Sequence, residues 1–160
     1  MVCPAYQLNG EIGIGQGSPN TETQYLTLCL NDGEELRRVS NEQWDFGVPG
    51  NFRGFVTIDW NKDGYLDVIV RDLSGKARYY QSNCGVNKSI EISLNQPGMN
   101  ARAIGARIWV KSPDKSIRFR DITAGSTNIS SSGPPVTHFG LGNAEFVDIV
   151  IRWPDGMVSS

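Results

Sequence analysis

The stretch Asp59-Trp60-Asn61-Lys62-Asp63-Gly64-Tyr65-Leu66-Asp67 sets side-chain oxygens at its first, third, fifth and ninth positions and a glycine at its sixth. Alternate residues of a tight loop turn inward, glycine permits the sharp bend, and the main-chain carbonyl at the seventh position, here Tyr65, adds another oxygen. That donor set suits a hard cation such as Ca2+, which takes about six to eight oxygens. Three aspartates within so short a span repel one another unless a cation neutralises them, which favours a bound ion over a solvated Asx-rich turn. The twelfth position is Val70, not the bidentate Glu that closes an EF-hand. The flanks, Phe55-Val56-Thr57-Ile58 and Leu66-Asp67-Val68-Ile69-Val70, are β-branched strand sequences rather than helices. The loop is therefore expected to join two strands. It should hold a structural, non-catalytic Ca2+ through Asp59, Asn61, Asp63, Asp67 and the Tyr65 carbonyl, with water completing the shell. Without the closing Glu its affinity should be modest, roughly 10⁻⁵ to 10⁻³ M.

Strands, not helices, must position this loop. Apolar residues recur with period two, as half-buried strands require. Ile90, Ile92 and Leu94 alternate with Glu91 and Ser93, Ile117 and Phe119 with Arg118 and Arg120, and Val147, Ile149 and Ile151 with Asp148 and Arg152. Each reads as a strand with one wet face. Ser112-Pro113-Asp114-Lys115 should close a hairpin, because Pro presets a turn dihedral and Asp can bond its own backbone. Further hairpins are expected at Asn31-Asp32-Gly33 and Leu73-Ser74-Gly75. A composition shift between Gln81 and Lys88 divides the chain into a loop-bearing β region, 1–82, and a C-terminal β domain, 87–160. Gly10, Gly13, Gly15 and Gly17 do not make a nucleotide cradle, since the spacing is wrong and no helix follows.

Composition removes several classes of function. With 15 Lys+Arg against 17 Asp+Glu over 160 residues, no strong field invites nucleic acid. Apolar runs such as Tyr25 to Leu30 fall far short of the roughly 18 residues that cross a bilayer, so no membrane insertion is expected. Met1 to Ala5 carries neither a basic nor an apolar leader region, and no secretory signal is read there. Cys3, Cys29 and Cys84 lie too far apart for a zinc knuckle, and their pairing is open. Cys29 reads as a small buried side chain. A hydrolase reading through His138, with Ser130, Ser131 or Ser132 and Asp148, lacks a GxSxG elbow and is set aside; no enzyme is expected. Gly140 and Gly142 suit a bulge. Among the aromatics Trp44, Trp60, Trp109, Trp153, Tyr79 and Tyr80, Trp109 best suits a sugar-stacking platform, and equally suits a residue that covers the neighbouring domain. It shares a face with Arg107 and Lys111, while Trp153 follows Ile149 and Ile151 into the core.

Phe52 to Asp72, with DWNKDGYLDVIV at its centre, resembles an FG-GAP repeat, the calcium-loop blade of integrin-type β-propellers. Downstream, Asn100 to Ile108, Ala124-Gly125-Ser126, His138-Phe139-Gly140-Leu141-Gly142, Val147-Asp148 and Trp153-Pro154-Asp155-Gly156 resemble, in order, the ASPIC/UnbV domain that often follows FG-GAP repeats in secreted relatives of cartilage acidic protein. The resemblance implies an all-β fold, with an FG-GAP blade-like antiparallel sheet packed with a C-terminal antiparallel β-sandwich-like domain. It implies an extracellular or cell-surface, non-catalytic, calcium-binding module that recognises a protein or glycan, with Asp59, Asn61, Asp63, Tyr65 and Asp67 as ion ligands. One loop stands where the family usually carries several, and the chain stops just past its WPDG turn. The alternative is a structural cap of a larger propeller with no ligand of its own; isolated, such a fragment should expose an apolar patch or dimerise through it.

Overall fold

The computed structural model describes residues 6–12, 25–31, 34–38, 48–73, 75–83, 86–125, 131–133 and 136–160, with side-chain surroundings left out for 6–12, 30 and 31. Its strands are β1 (Tyr6–Ile12), β2 (Cys29–Asn31), β3 (Leu36–Arg38), β4 (Phe52–Ile58), β5 (Asp67–Asp72), β6 (Ala77–Ser82), β7 (Lys88–Ile92), β8 (Arg107–Lys111), β9 (Ile117–Asp121), β10 (Thr137–Gly142), β11 (Asp148–Arg152) and β12 (Val158–Ser159). Every strand pair is antiparallel, and the fold is all-β as the period-two patterning anticipates. The chain divides into two compact units, Met1–Gly85 with Asn128–Ser131, and Val86–Thr127 with Ser132–Ser160.

The first unit contains a four-stranded sheet in the order β1-β6-β5-β4 and a two-stranded ribbon, β2-β3. Cys29 lies on that ribbon as an exposed free thiol, correcting the buried reading: a pair of three-residue strands is too short to bury a face by itself. Cys3, Cys84, Trp44, Ser130 and Gly13 to Gly17 fall outside the described residues. Along β6 the burial alternates, sealing Arg78, Tyr80 and Ser82. Val70 lies opposite Arg78 on the same buried face.

At one end of this sheet the approach to β4 is fastened by charge. Arg78 donates to the carbonyls of Val48 and Pro49, both at 2.8 Å, and to Asp72 Oδ2 at 2.9 Å. Asp72 Oδ1 accepts from the Asn51 N–H at 3.1 Å, and the Arg78 guanidinium lies 5.1 Å from the Phe52 ring centroid. Gly50 is required here, since a Cβ would sit 2.5 Å from Asp72 Oδ2 and 2.7 Å from the Phe52 ring. The edge strand β4 is also touched by Ser131, whose Oγ accepts from the Phe55 N–H at 3.0 Å.

The second unit stacks a four-stranded sheet, β12-β11-β8-β9, and a pair, β10-β7, around one apolar core. Ile108, Val110 and Phe139 are sealed, and Ile90, Ile92, Leu94, Ile122, Leu141, Val147, Ile149 and Ile151 pack against them. The alternations at 90–94 and 147–151 thus fall with their apolar phase inward. β9 does not: Ile117 and Phe119 are 62% and 52% exposed. Alternation identifies a two-faced strand but not which face meets the core, and here Arg118 and Arg120 sit opposite the sealed Val110 and Ile108. Arg120 makes this tolerable by placing its guanidinium 5.7 Å from the Phe139 ring centroid.

The turns follow their residues. In the β8-β9 hairpin Ser112 N–H donates to Ser116 O, and Asp114 Oδ1 accepts from Ser116 N–H, with Lys115 at φ 66°. Register slips between Gly140 and Gly142, the expected bulge. Trp153-Pro154-Asp155-Gly156 closes the β11-β12 hairpin, with Trp153 N–H donating to Met157 O at 2.8 Å. Trp153 itself is half-buried, its Nε1 donating to Ser159 Oγ.

Candidate metal centre

β4 ends at Ile58 and β5 begins at Asp67, and these two residues pair, so the loop 59–66 is the connection of an antiparallel hairpin. Gly64 takes φ 89°, the left-handed bend that its position in the motif requires. Lys62 takes φ 62°, a second left-handed residue that nothing in its side chain announces.

Asp59 is nearly sealed at 5% exposure. Its Oδ1 accepts from Asp63 N–H at 3.1 Å and its Oδ2 from Gly64 N–H at 3.0 Å. Asn61 Oδ1 also accepts from Asp63 N–H at 3.2 Å, and Asp63 Oδ1 accepts from Tyr65 N–H at 2.9 Å, giving two successive Asx turns. Asn61 Nδ2 donates to Asp63 Oδ2 at 2.7 Å, bridging the two exposed rim residues. Tyr65 is half-buried.

Asp67 is fully buried and three-fold bonded. Its Oδ2 accepts from Trp60 N–H at 3.2 Å and from Tyr79 O–H at 2.8 Å, and its Oδ1 from Ser82 N–H at 2.8 Å. It ties the loop to β6. Tyr79 registers the surrounding charge: burial, the bond to Asp67 and the fields of Asp67, Asp63 and Asp59 push its hydroxyl up to about 12.

The sequence motif thus splits into a buried base, Asp59 and Asp67, and an exposed rim, Asn61 and Asp63. No three His, Cys, Asp or Glu side chains among the described residues draw together at metal-binding range; the inner oxygens turn to the N–H groups of Asp63 and Gly64 in the loop and of Ser82 on β6. The donor chemistry nevertheless fits a divalent cation. Three carboxylates against the single Lys62 ammonium leave the loop two negative charges. Each carboxylate offers about four lone-pair sites, and the described bonds occupy no more than three on any of them.

Tyr79 and the Ser82 amide are partners that sequence reasoning missed, since they lie 12 and 15 residues from Asp67 and only strand pairing brings them close. His138 pairs with Glu91 in the β10-β7 ladder, Asp148 with Lys111, and Ser131 belongs to the first unit. No helix among the described residues is long and apolar enough to cross a membrane.

Comparison with known proteins finds that residues 96–160 match the family described as ASPIC and UnbV. Cartilage acidic protein 1 of Homo sapiens is 30% identical over 150 residues, covering 92% of this chain and 22% of the human protein. The Mus musculus protein of the same name is 29% identical over 150 residues, covering 92% and 23%. The Xenopus tropicalis one is 27% identical over 112 residues, covering 68% and 17%. The chain thus carries an ASPIC/UnbV region, is homologous to cartilage acidic protein 1, and spans about a fifth of the length of these relatives.

Proposed function

We propose that this chain, with its homology to cartilage acidic protein 1 as premise, is an extracellular, non-catalytic β module. Its FG-GAP-like loop binds Ca2+, and its surface recognises a protein or glycan partner. The observation that carries the calcium reading is the loop itself: two negative charges, paired Asx turns and a left-handed Gly64 set in a strand-to-strand hairpin. Asp59, Asn61, Asp63, Asp67 and the Tyr65 carbonyl are the proposed ligands. The ion's work is structural. It offsets the mutual repulsion of three carboxylates and fixes the loop against β6, to which Asp67 already ties it. The name of the relatives points to cartilage, an extracellular setting. A second reading, a structural cap within a larger propeller, is favoured by the fifth of the relatives' length that the chain spans.

The test is a thermal melt in EGTA and in millimolar Ca2+, on the wild type and on Asp63→Asn. That substitution keeps an oxygen for the Tyr65 amide and removes one charge. Ca2+ should raise the wild-type midpoint, with a stabilisation that reaches about 2.7 kcal/mol if the ion is in hundredfold excess over its Kd. The variant should respond less. If neither protein responds, the calcium reading and its ligand set both fail.

A further inference from the structure

In the four-stranded sheet of the second unit, residues paired across strands share a face. Ile108, Val110, Ile149 and Ile151 turn inward to the core, so their neighbours Arg107, Trp109 and Lys111 turn outward. Trp109 lies between Phe119 on β9 and Val150 on β11, both directly opposite it in register. The Arg107 guanidinium sits 5.7 Å from the Trp109 ring centroid and 5.3 Å from that of Phe119, and its Nε is bonded to Asp121. Phe119 is 52% exposed. This face therefore joins the exposed Phe119 ring and the half-buried Trp109 ring to a guanidinium and a carboxylate that bond each other.

We infer that the outer face of β11-β8-β9 binds a neutral glycan, stacking a sugar ring on Trp109 and Phe119 and bonding its hydroxyls through Arg107 and Asp121. The inference rests on the recognition reading above and supplies its partner. A sugar has an apolar C–H face and hydroxyls that both donate and accept, which is what this combination serves. Charge favours a neutral ligand. Arg107 opposes Asp121 and Lys111 opposes Asp148, so with Arg152 the face carries three cations against two anions and offers little field to a polyanion. Size disfavours a protein partner or a second copy. Five residues along each of three strands span roughly 13 by 10 Å, far below the about 800 Å² that each side of a stable protein interface covers.

The test uses the full chain on an array of neutral, sialylated and sulfated glycans, with Trp109→Ala, Phe119→Ala and Trp109→Phe beside the wild type. The calcium-dependent melt of each serves as a check on folding, and Asp121→Asn tests the hydroxyl contacts without touching the aromatic rings. Binding to a neutral glycan is expected, weakened on the order of tenfold by either alanine and partly kept by Trp109→Phe. Four outcomes overturn the inference: no neutral glycan bound, binding confined to acidic glycans, binding indifferent to Trp109→Ala, or self-association that Trp109→Ala abolishes. Failure here with the calcium response intact removes only the glycan assignment. Glycan binding without a calcium response removes only the ion.

Discussion

Where the second unit seals Ile108, Val110 and Phe139, the first seals Asp67, Asp72 and Arg78 beside Val70 and Tyr80. Among the described residues, one unit is held mainly by apolar packing and the other by buried charge with named partners. Apolar burial is non-directional, each such side chain contributing about 1.5–3 kcal/mol with little dependence on pH or ions. Buried charge is directional. Asp72 and Arg78 together hold Val48, Pro49 and Asn51, so one lost partner leaves the other desolvated and unpaired. A unit built that way is the natural place for an ion to act.

Arg78→Ala should therefore cost the most, about 3–5 kcal/mol in a denaturant or thermal melt, because Asp72 stays buried without its cation. The double variant Arg78→Met, Asp72→Leu should recover only part of this. It removes the unpaired charge but leaves the carbonyls of residues 48 and 49 without their donor. A cost below about 1 kcal/mol for Arg78→Ala would break the comparison, placing the pair with exposed salt bridges of little worth.

A smaller effect is expected in the apolar unit. Ile108→Val should cost about 0.5–1.5 kcal/mol, as the loss of one methylene from a sealed site does. It should leave the calcium dependence of the melt unchanged.

The effects of pH have opposite signs in the two units. Tyr79, raised to about 12, keeps its proton in the folded state after the unfolded chain has lost it near its ordinary 10.0. Its contribution is complete below pH about 10 and is lost as pH rises through about 12. Asp121, held below the usual range by its bond to Arg107, contributes above the ordinary 3.8 and loses that as pH falls through its depressed folded value. Tyr79→Phe should flatten the alkaline limb of a stability–pH profile and leave the acid limb alone. Asp121→Asn should do the reverse.

Much of the architecture was legible in local pattern. Alternation located the strands at 90–94 and 147–151 with their faces, Ser112-Pro113-Asp114-Lys115 marked a turn, and Gly140 with Gly142 marked a bulge. The β-branched flanks of the acidic loop likewise announced a strand-to-strand connection, and its sixth-position Gly the bend at Gly64. What escaped was set by partners distant along the chain. The phase of β9 was misjudged because its arginines are accommodated by Phe139 and by Ser112 and Ser116, whose hydroxyls accept from Arg118. The bonds that Asp67 accepts from Tyr79 and Ser82, which tie the loop to β6, lie 12 and 15 residues away and have no local signal. Cys29 looked buried because its neighbours are apolar, yet its own side chain is exposed on the two-stranded ribbon.

The central claim is that calcium acts through the charged unit and not through the apolar one. Amide hydrogen exchange in EGTA and in millimolar Ca2+ tests it most directly, read segment by segment. Protection should rise with Ca2+ at the loop amides of Trp60, Asp63, Gly64 and Tyr65 and at Ser82, which donate to the carboxylates the ion would draw in. Exchange along β8 and β11 should not change. Equal slowing in both units, or none in the loop, would contradict the account.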